Sequence, residues 1–332
     1  MEKRIYGRTG LAISILGFGC GAVGGLMVRG ETKDQKNAIG QALDAGINYF
    51  DTAVQYGNGV SETNLGRALK ALKPAEAFVG TKVRVPPEQF GAIGAEVTRS
   101  LDASLARLGM GQVDIFHLHN GITAQGGGEN LSVDQVLNEV VPAFEALRKA
   151  GKTRFLGITA VGDTAALLRV IDAKVFDSAQ VSYNMLNPSA GEALPAGYPA
   201  QDYGRMFDHT KAAGVGVVGI RVIAGGALSG THERHPIASP APAPIGTAND
   251  YGSDVARAAR LMPLVTEGFA SSLPEAATRF AITHPAMGTI LVGMATVGEF
   301  EGALAAVRKG ALPAAAMARL AALRGGFAGE AR

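Results

Sequence analysis

Cysteine is almost missing from this chain: Cys20 stands alone among 332 residues, which excludes an internal disulfide framework and a cysteine-rich metal centre. Charge is also sparse. Only 18% of residues are charged, the net charge is +2, and no Lys/Arg cluster is longer than two residues, so neither a nucleic acid nor an anionic membrane is an expected partner. No apolar run reaches the roughly 18 residues that span a bilayer. The opening Met1-Glu2-Lys3-Arg4 leads into polar turn residues rather than the apolar stretch of a signal peptide. The expectation is a soluble, cytoplasmic protein, monomeric or weakly homo-oligomeric, that handles small molecules. What is plentiful is apolar residues, 47% of the chain, and glycine, 45 residues, enough for a large core joined by many tight turns. The length admits two domains, but one α/β barrel also reaches this size. No boundary is visible, so a single domain over 1–332 is expected.

Short apolar runs alternate with amphipathic stretches along the chain. Arg4-Ile5-Tyr6 and Leu11 to Ser14 flank the turn Gly7-Arg8-Thr9-Gly10 and predict a hairpin that plugs one end of the fold. Strands are then predicted at Ile15–Gly19, Tyr49–Asp51, Phe78–Lys82, Asp114–His119, Arg154–Thr159, Ala179–Tyr183, Gly216–Arg221 and Thr289–Val292, with helices between them, among them Thr32–Ala45, Glu62–Leu72, Ala92–Leu108 and Val133–Ala150. Eight such units imply a parallel sheet closed as a (β/α)8 TIM barrel. An added amphipathic helix is expected at Pro313–Leu323, followed by a tail with little to pack. The segment 228–251, with Pro236, Pro240, Pro242 and Pro244, reads as a long loop poor in helix, either binding ligand or running over the surface.

Three strands end in groups that have no place in an apolar core alone. Asp51 closes Asn48-Tyr49-Phe50, Lys82 closes Phe78-Val79-Gly80-Thr81, and His119 closes the run from Val113. A buried carboxylate without a partner is costly, and Lys82 is the natural partner for Asp51. In a barrel these strand ends share one rim, where active sites form, and Tyr56 follows on the loop after Asp51. Singly, each has a structural explanation: Asp51 and Lys82 as a rim ion pair, Tyr56 as a loop aromatic, His119 as a core histidine with His117 on the same face. Jointly they fit carbonyl chemistry, in which an oxygen must receive a proton and have its negative charge stabilised. Tyr56 is the candidate acid and Lys82 the cation that lowers its pKa. A shift of about two units needs roughly 2.7 kcal/mol, more than the roughly 0 to 1 kcal/mol of a solvated ion pair, so the cluster is expected to be shielded from water. Asp51 would hold Lys82, and His119 would hydrogen-bond the carbonyl. Cys20, at the end of the first strand, is expected to face the mouth in a packing role.

This constellation resembles the aldo-keto reductase family, whose barrel carries Asp, Tyr, Lys and His in the same chain order. The resemblance rests on Phe50-Asp51-Thr52-Ala53 with Tyr56-Gly57, Thr81-Lys82, Asp114 with His119, Gly151-Lys152-Thr153-Arg154-Phe155-Leu156-Gly157-Ile158, and the opening Gly7-Arg8-Thr9-Gly10-Leu11. It implies catalytic roles for Asp51, Tyr56, Lys82 and His119. It also implies a nicotinamide dinucleotide across the barrel mouth, held without the Gly-x-Gly-x-x-Gly loop of doubly wound folds. Gln180 matches the family's carboxamide contact, with Tyr183 nearby. Thr159 can bond the same amide, but Ala160 stands where the family has asparagine. Ile220 and Arg221 stand where tyrosine and serine are common, so the ring would rest on an aliphatic surface and Arg221 would reach the pyrophosphate, or else form a rim salt bridge. After the eighth strand, Gly293, Thr296 and Glu299 fall in the phosphate-reading segment without the usual cations. Glu299 would repel a 2′-phosphate and accept from a 2′-hydroxyl, which favours NAD(H), while Arg234 and the helix start at Thr296 favour NADP(H).

The run Tyr56-Gly57-Asn58-Gly59-Val60-Ser61-Glu62 looks like the branch with bacterial sugar 1-dehydrogenases. The expected activity is therefore NAD(P)-dependent interconversion of an aldehyde, ketone or sugar lactol with its alcohol or lactone. The alternatives are a cofactor-binding regulatory subunit with little catalysis, and a metal-dependent barrel isomerase. The isomerase would need clustered carboxylates and histidines at strand ends, where only His117 and His119 are available; His232 and His235 on the long loop lack companions, and no metal is expected.

Overall fold

In a computed structural model, residues 1–240 and 250–331 are described. Eight parallel strands close into a barrel in strict chain order. They are β1 (Leu16–Gly19), β2 (Tyr49–Asp51), β3 (Phe78–Val83), β4 (Val113–Leu118), β5 (Thr153–Thr159), β6 (Ser178–Ser182), β7 (Gly216–Ile220) and β8 (Met287–Val292). Helices α1 (Thr32–Asp44), α2 (Val60–Leu72) and α3 (Ile93–Leu108) follow the first three strands. The expected helix Val133–Ala150 is present as one helical run over 133–149, widened to a π turn at Val136–Val140 before α4 (Val141–Lys149), where Pro142 lacks the amide N–H a regular turn would use. The ring is completed by α5 (Thr164–Asp172), α6 (Met206–Ala213), α7 (Leu273–Thr283) and α8 (Val297–Arg308).

Strand periodicity divides the core in two. Side chains at alternate positions fill the barrel, where Tyr6, Leu11, Ile13, Tyr49, Ile115 and Val218 form one buried cluster. The other positions face the helices: Phe18 packs on Phe50 and Phe300, and Phe116 on Phe144. The hairpin plugs the N-terminal end as expected, pairing Lys3 with Ser14 and Ile5 with Ala12. Its Tyr6 ring enters the barrel, where the hydroxyl lies 2.6 Å from Ser178 Oγ. Gly216 and Gly288 make room for it, since a Cβ at either would lie 2.6 Å from a ring carbon.

The C-terminal helix spans Ala314–Gly325, but the tail after it is not idle. Phe327 is fully buried, with the Arg260 guanidinium 4.7 Å above its ring and Tyr198 at 6.1 Å. Gly329 N–H donates to Gly197 O at 2.9 Å, and Glu330 pairs with Arg257 and Arg260. One aromatic among glycines carries no periodic signal, which is why the tail looked unpacked.

Candidate active site

At the C-terminal rim, β2 delivers Asp51 and β3 delivers Lys82 to the interior face. Lys82 is fully buried, and its ammonium donates to Asp51 Oδ1, to Thr52 O at 2.8 Å and to Tyr56 Oη at 3.2 Å. The other oxygen of Asp51 accepts from Gln180 Nε2 at 2.6 Å and from the Tyr49 hydroxyl at 3.1 Å. The carboxylate thus has donors on both oxygens, as a buried charge requires. Tyr56 is on the loop after β2, edge-on to His119 with ring centroids 6.0 Å apart. The four sequence-derived candidates therefore meet at one place, with Gln180 and Tyr49 beside them.

The electrostatics depart from expectation in one respect. Burial pushes the Tyr56 phenol up and Lys82 only partly pulls it back, so its pKa is raised rather than lowered. Burial also disfavours the Lys82 ammonium, but Asp51 and Tyr56 outweigh it and hold the lysine protonated. The pair is a neutral phenol beside a fixed cation. His119 is pulled down to about 3 by burial, then by Lys82, Arg84 and Arg221, so the ring is neutral near pH 7. Its Nδ1 lies 3.1 Å from Gln55 Oε1. His117 points deeper into the barrel, with Nε2 2.9 Å from Ser178 Oγ.

The remaining candidates divide. Thr159 and Gln180 pair across β5 and β6, and the Thr159 hydroxyl is buried without a partner. So is that of Ser182, two residues beyond Gln180 on the same face and not singled out by the sequence. Ile220 ends β7 on the interior face, packed on the barrel cluster. Arg221 takes a left-handed conformation, φ 59°, and among the described residues no carboxylate pairs with it, which removes the rim salt bridge. Tyr183 is a correction: the period of two turns it outward from β6, and its ring stacks on Phe280 at 4.8 Å and meets Phe207 at 5.0 Å, in the helical layer. Cys20, just past β1, is buried in the main core cluster, as a packing role requires.

Gly293 is exposed after β8. Thr296 caps α8 by accepting from Glu299 N–H at 3.1 Å, and Glu299 Oε2 accepts from Ala295 N–H at 2.6 Å. One oxygen of Glu299 is thus engaged at the helix start, on the backbone N–H of the residue before the Thr296 cap. Arg234 is also engaged: it donates to Ser239 O and Gly225 O, each at 2.8 Å, and to Tyr251 Oη at 3.0 Å. That bond set joins the Arg234–Ser239 part of the loop to Gly225 and Tyr251. Ser239 N–H and Oγ reach Val23 O and Ala22 O, both at 2.9 Å, so the segment crosses to the loop after β1. Pro242 and Pro244 lie outside the described residues.

The loop after β1 corrects the expectation that no Gly-x-Gly-x-x-Gly stretch follows a strand. Gly19-Cys20-Gly21-Ala22-Val23-Gly24 has the Gly-x-Gly-x-x-Gly spacing of dinucleotide-binding loops. Here it serves packing: a Cβ on Gly24 would lie 2.2 Å from Met294 N, and the acidic residue ending β2 is bound to Lys82 instead of being left for a ribose. A hollow of about 460 Å³ bordered by Lys3, Asn48 and Glu76 lies at the opposite end of β2 and shares no residue with this cluster. Among the described residues no group of three or more His, Cys, Asp or Glu is placed to hold a metal ion, and no helix is long and apolar enough to cross a membrane.

Known proteins resemble the chain in sequence and in fold. The family model described as "Aldo/keto reductase family" matches residues 15–324. An L-galactose dehydrogenase of Arabidopsis thaliana is 31% identical over 314 residues, covering 92% of this chain and 88% of that protein. A D-threo-aldose 1-dehydrogenase of a Pseudomonas species is 34% identical, over 57% of this chain and 63% of its own length. An aldo-keto reductase structure from Bacillus halodurans, in its holo form, superposes with a TM-score of 0.71 at 24% identity, covering 97% and 96% of the two chains.

Proposed function

The chain belongs to the aldo/keto reductase family and is an oxidoreductase, and from that premise we propose that it interconverts a sugar lactol, aldehyde or ketone with the corresponding lactone or alcohol, with Tyr56 as general acid and base. The observation that carries this is the 3.2 Å contact between the Lys82 ammonium and Tyr56 Oη beside a buried Asp51. In reduction the phenol gives its proton to the carbonyl oxygen, and the ammonium stabilises the phenolate left behind. In oxidation the same oxygen takes the hydroxyl proton back. Asp51 keeps Lys82 charged and aimed, while neutral His119 orients the substrate oxygen through Nε2. For the neutral ring to donate from Nε2 to that oxygen, Nδ1 must be the acceptor, so in the working enzyme the Gln55 amide turns its NH2 to Nδ1.

A bound nicotinamide dinucleotide supplies or accepts the hydride. The residues present fit one: the unpartnered hydroxyls of Thr159 and Ser182 flank Gln180, whose Oε1 remains to meet a carboxamide. Ile220 offers the ring an aliphatic surface. Arg221, without a carboxylate partner, is placed in the pyrophosphate role, with Gly293 and Thr296 near the adenosine end. Because Arg234 is turned into its own loop and the segment Val292 to Glu299 carries no cation, we assign preference to NAD(H). The two dehydrogenases acting on sugars among the relatives support an aldose in its lactol form as the substrate class. The test is a panel of aldoses, aldehydes and ketones followed by nicotinamide absorbance with NAD, NADP and their reduced forms. Turnover of an aldose with NAD above that with NADP is expected; no absorbance change with any pair would contradict the activity, and a preference for NADP would contradict the cofactor assignment.

A further inference from the structure

Thr81 and Lys82 are adjacent on β3 and therefore face opposite ways. Lys82 enters the barrel. Thr81 points to the helices, where its hydroxyl donates to Glu62 Oε1 at 2.6 Å. Glu62 lies in the first turn of α2, just after the Tyr56 loop, and is 0% exposed. Its second oxygen accepts from Arg107 Nε of α3 at 2.6 Å, and Arg107 Nη2 is fastened to Ser104 Oγ at 3.0 Å. The arginine stem also lies against the loop itself. Gly59, the residue before α2, has φ 88°, and a Cβ there would sit 2.6 Å from Arg107 Cδ. Within the loop, Gly59 N–H donates to Val54 O at 2.7 Å and Ser61 N–H to Tyr56 O at 3.2 Å. The Ser61 hydroxyl lies 2.9 Å from Thr52 Oγ1 and donates to Cys20 O at 3.0 Å.

A fully desolvated carboxylate beside a partly exposed guanidinium is weak ground for stability, since an apolar pair of similar volume is often as good; geometric specification is the better-supported return. What this network specifies is the position of the strand carrying the ammonium relative to the loop carrying the phenol. We propose that Glu62, joined to Thr81 and Arg107, is a positioning residue of the active site, holding Tyr56 Oη within reach of Lys82 from the outer side of the barrel. The proposal rests on the acid role of Tyr56 given above. Strand β3 is then gripped on both faces, by Asp51 inside and by Glu62 outside.

Thr81→Val tests this with one lost hydroxyl, because valine keeps the β-branched shape that suits a strand, and Thr81→Ser restores the donor. The readout is the pH dependence of kcat, with cofactor Kd by nicotinamide fluorescence as the measure of an intact mouth. In Thr81→Val the ionisation belonging to the phenol and ammonium pair should move upward by about one unit and kcat near neutrality should fall roughly tenfold, with Kd unchanged. Thr81→Ser should return both to the parent values. A parent-like profile in Thr81→Val, or an equal shift in Thr81→Ser, overturns the inference. Should Thr81→Val not fold, Arg107→Lys, which keeps the charge on the outer half of the network but loses the fork, is expected to shift the profile in the same direction, and an unshifted profile there overturns it. If Tyr56→Phe is inactive and Thr81→Val unshifted, the role of Glu62 alone falls; if Tyr56→Phe keeps turnover, the acid role and this inference fall together.

Discussion

At the scale of residues, the site depends on which groups are charged when buried. Asp51 and Lys82 are a charged pair with donors on both carboxylate oxygens, whereas the two histidines are kept neutral by burial. His119 falls to about 3 and His117 well below its ordinary value. An unfolded histidine titrates near 6.5, above both folded values, so at pH between them the unfolded chain binds more protons. Their contribution to stability is therefore complete above about pH 6.5 and lost as pH falls below it. Urea midpoints should be lower near pH 5 than near pH 7, and His117→Gln should flatten that dependence. Equal midpoints at the two pH values, or an unaltered slope in His117→Gln, would contradict the neutral, buried assignment. Asp51, Lys82, Tyr56 and His119 were legible because each is a polar group closing an apolar run or following one. The sign of the Tyr56 shift was not, since it depends on how completely the phenol is desolvated, which no spacing reveals. Gln55 gave no signal at all: a glutamine in a loop becomes notable only when its amide is seen beside an imidazole.

At the scale of elements, strand parity decides most outcomes. All eight strands were visible as short apolar runs, and within each the period of two sorts Gln180 and Ser182 to the interior and Tyr183 to the helices. The error over Tyr183 came from its distance in sequence to Gln180, where the odd step matters more than closeness. Glu299 shows a different limit. Its charge suggests a ribose contact, but Thr296 caps the helix by accepting from Glu299 N–H, and one carboxylate oxygen of Glu299 is already engaged by Ala295 N–H. The C-terminal tail was unreadable because its anchoring comes from the long-range fit of one ring between Tyr198 and Arg260. Phe327→Ala should cost about 3–5 kcal/mol in chemical denaturation, with kcat and cofactor Kd unchanged. A loss under about 1 kcal/mol would mean that the ring is not the anchor.

At the scale of the whole molecule, the barrel brings groups from separate strands to one rim while the hairpin closes the other. Order around the barrel equals order along the chain, so Asp51 and Lys82 occupy neighbouring strands, and Gln180 reaches the same carboxylate from β6 across the interior. Closure of the barrel is what makes that contact possible, and alternation of strands and helices was sufficient to foresee it. The crossing of the 235–239 segment to the loop after β1 was not foreseeable, because a proline-rich stretch fixes no direction by itself. The proton transfer proposed for this rim runs through one phenol. It is tested most directly by comparing Tyr56→Phe with the parent for turnover and cofactor Kd side by side: turnover should fall by about 10²–10⁴-fold with Kd unchanged, and a variant that binds cofactor and still turns over at the parent rate would contradict it.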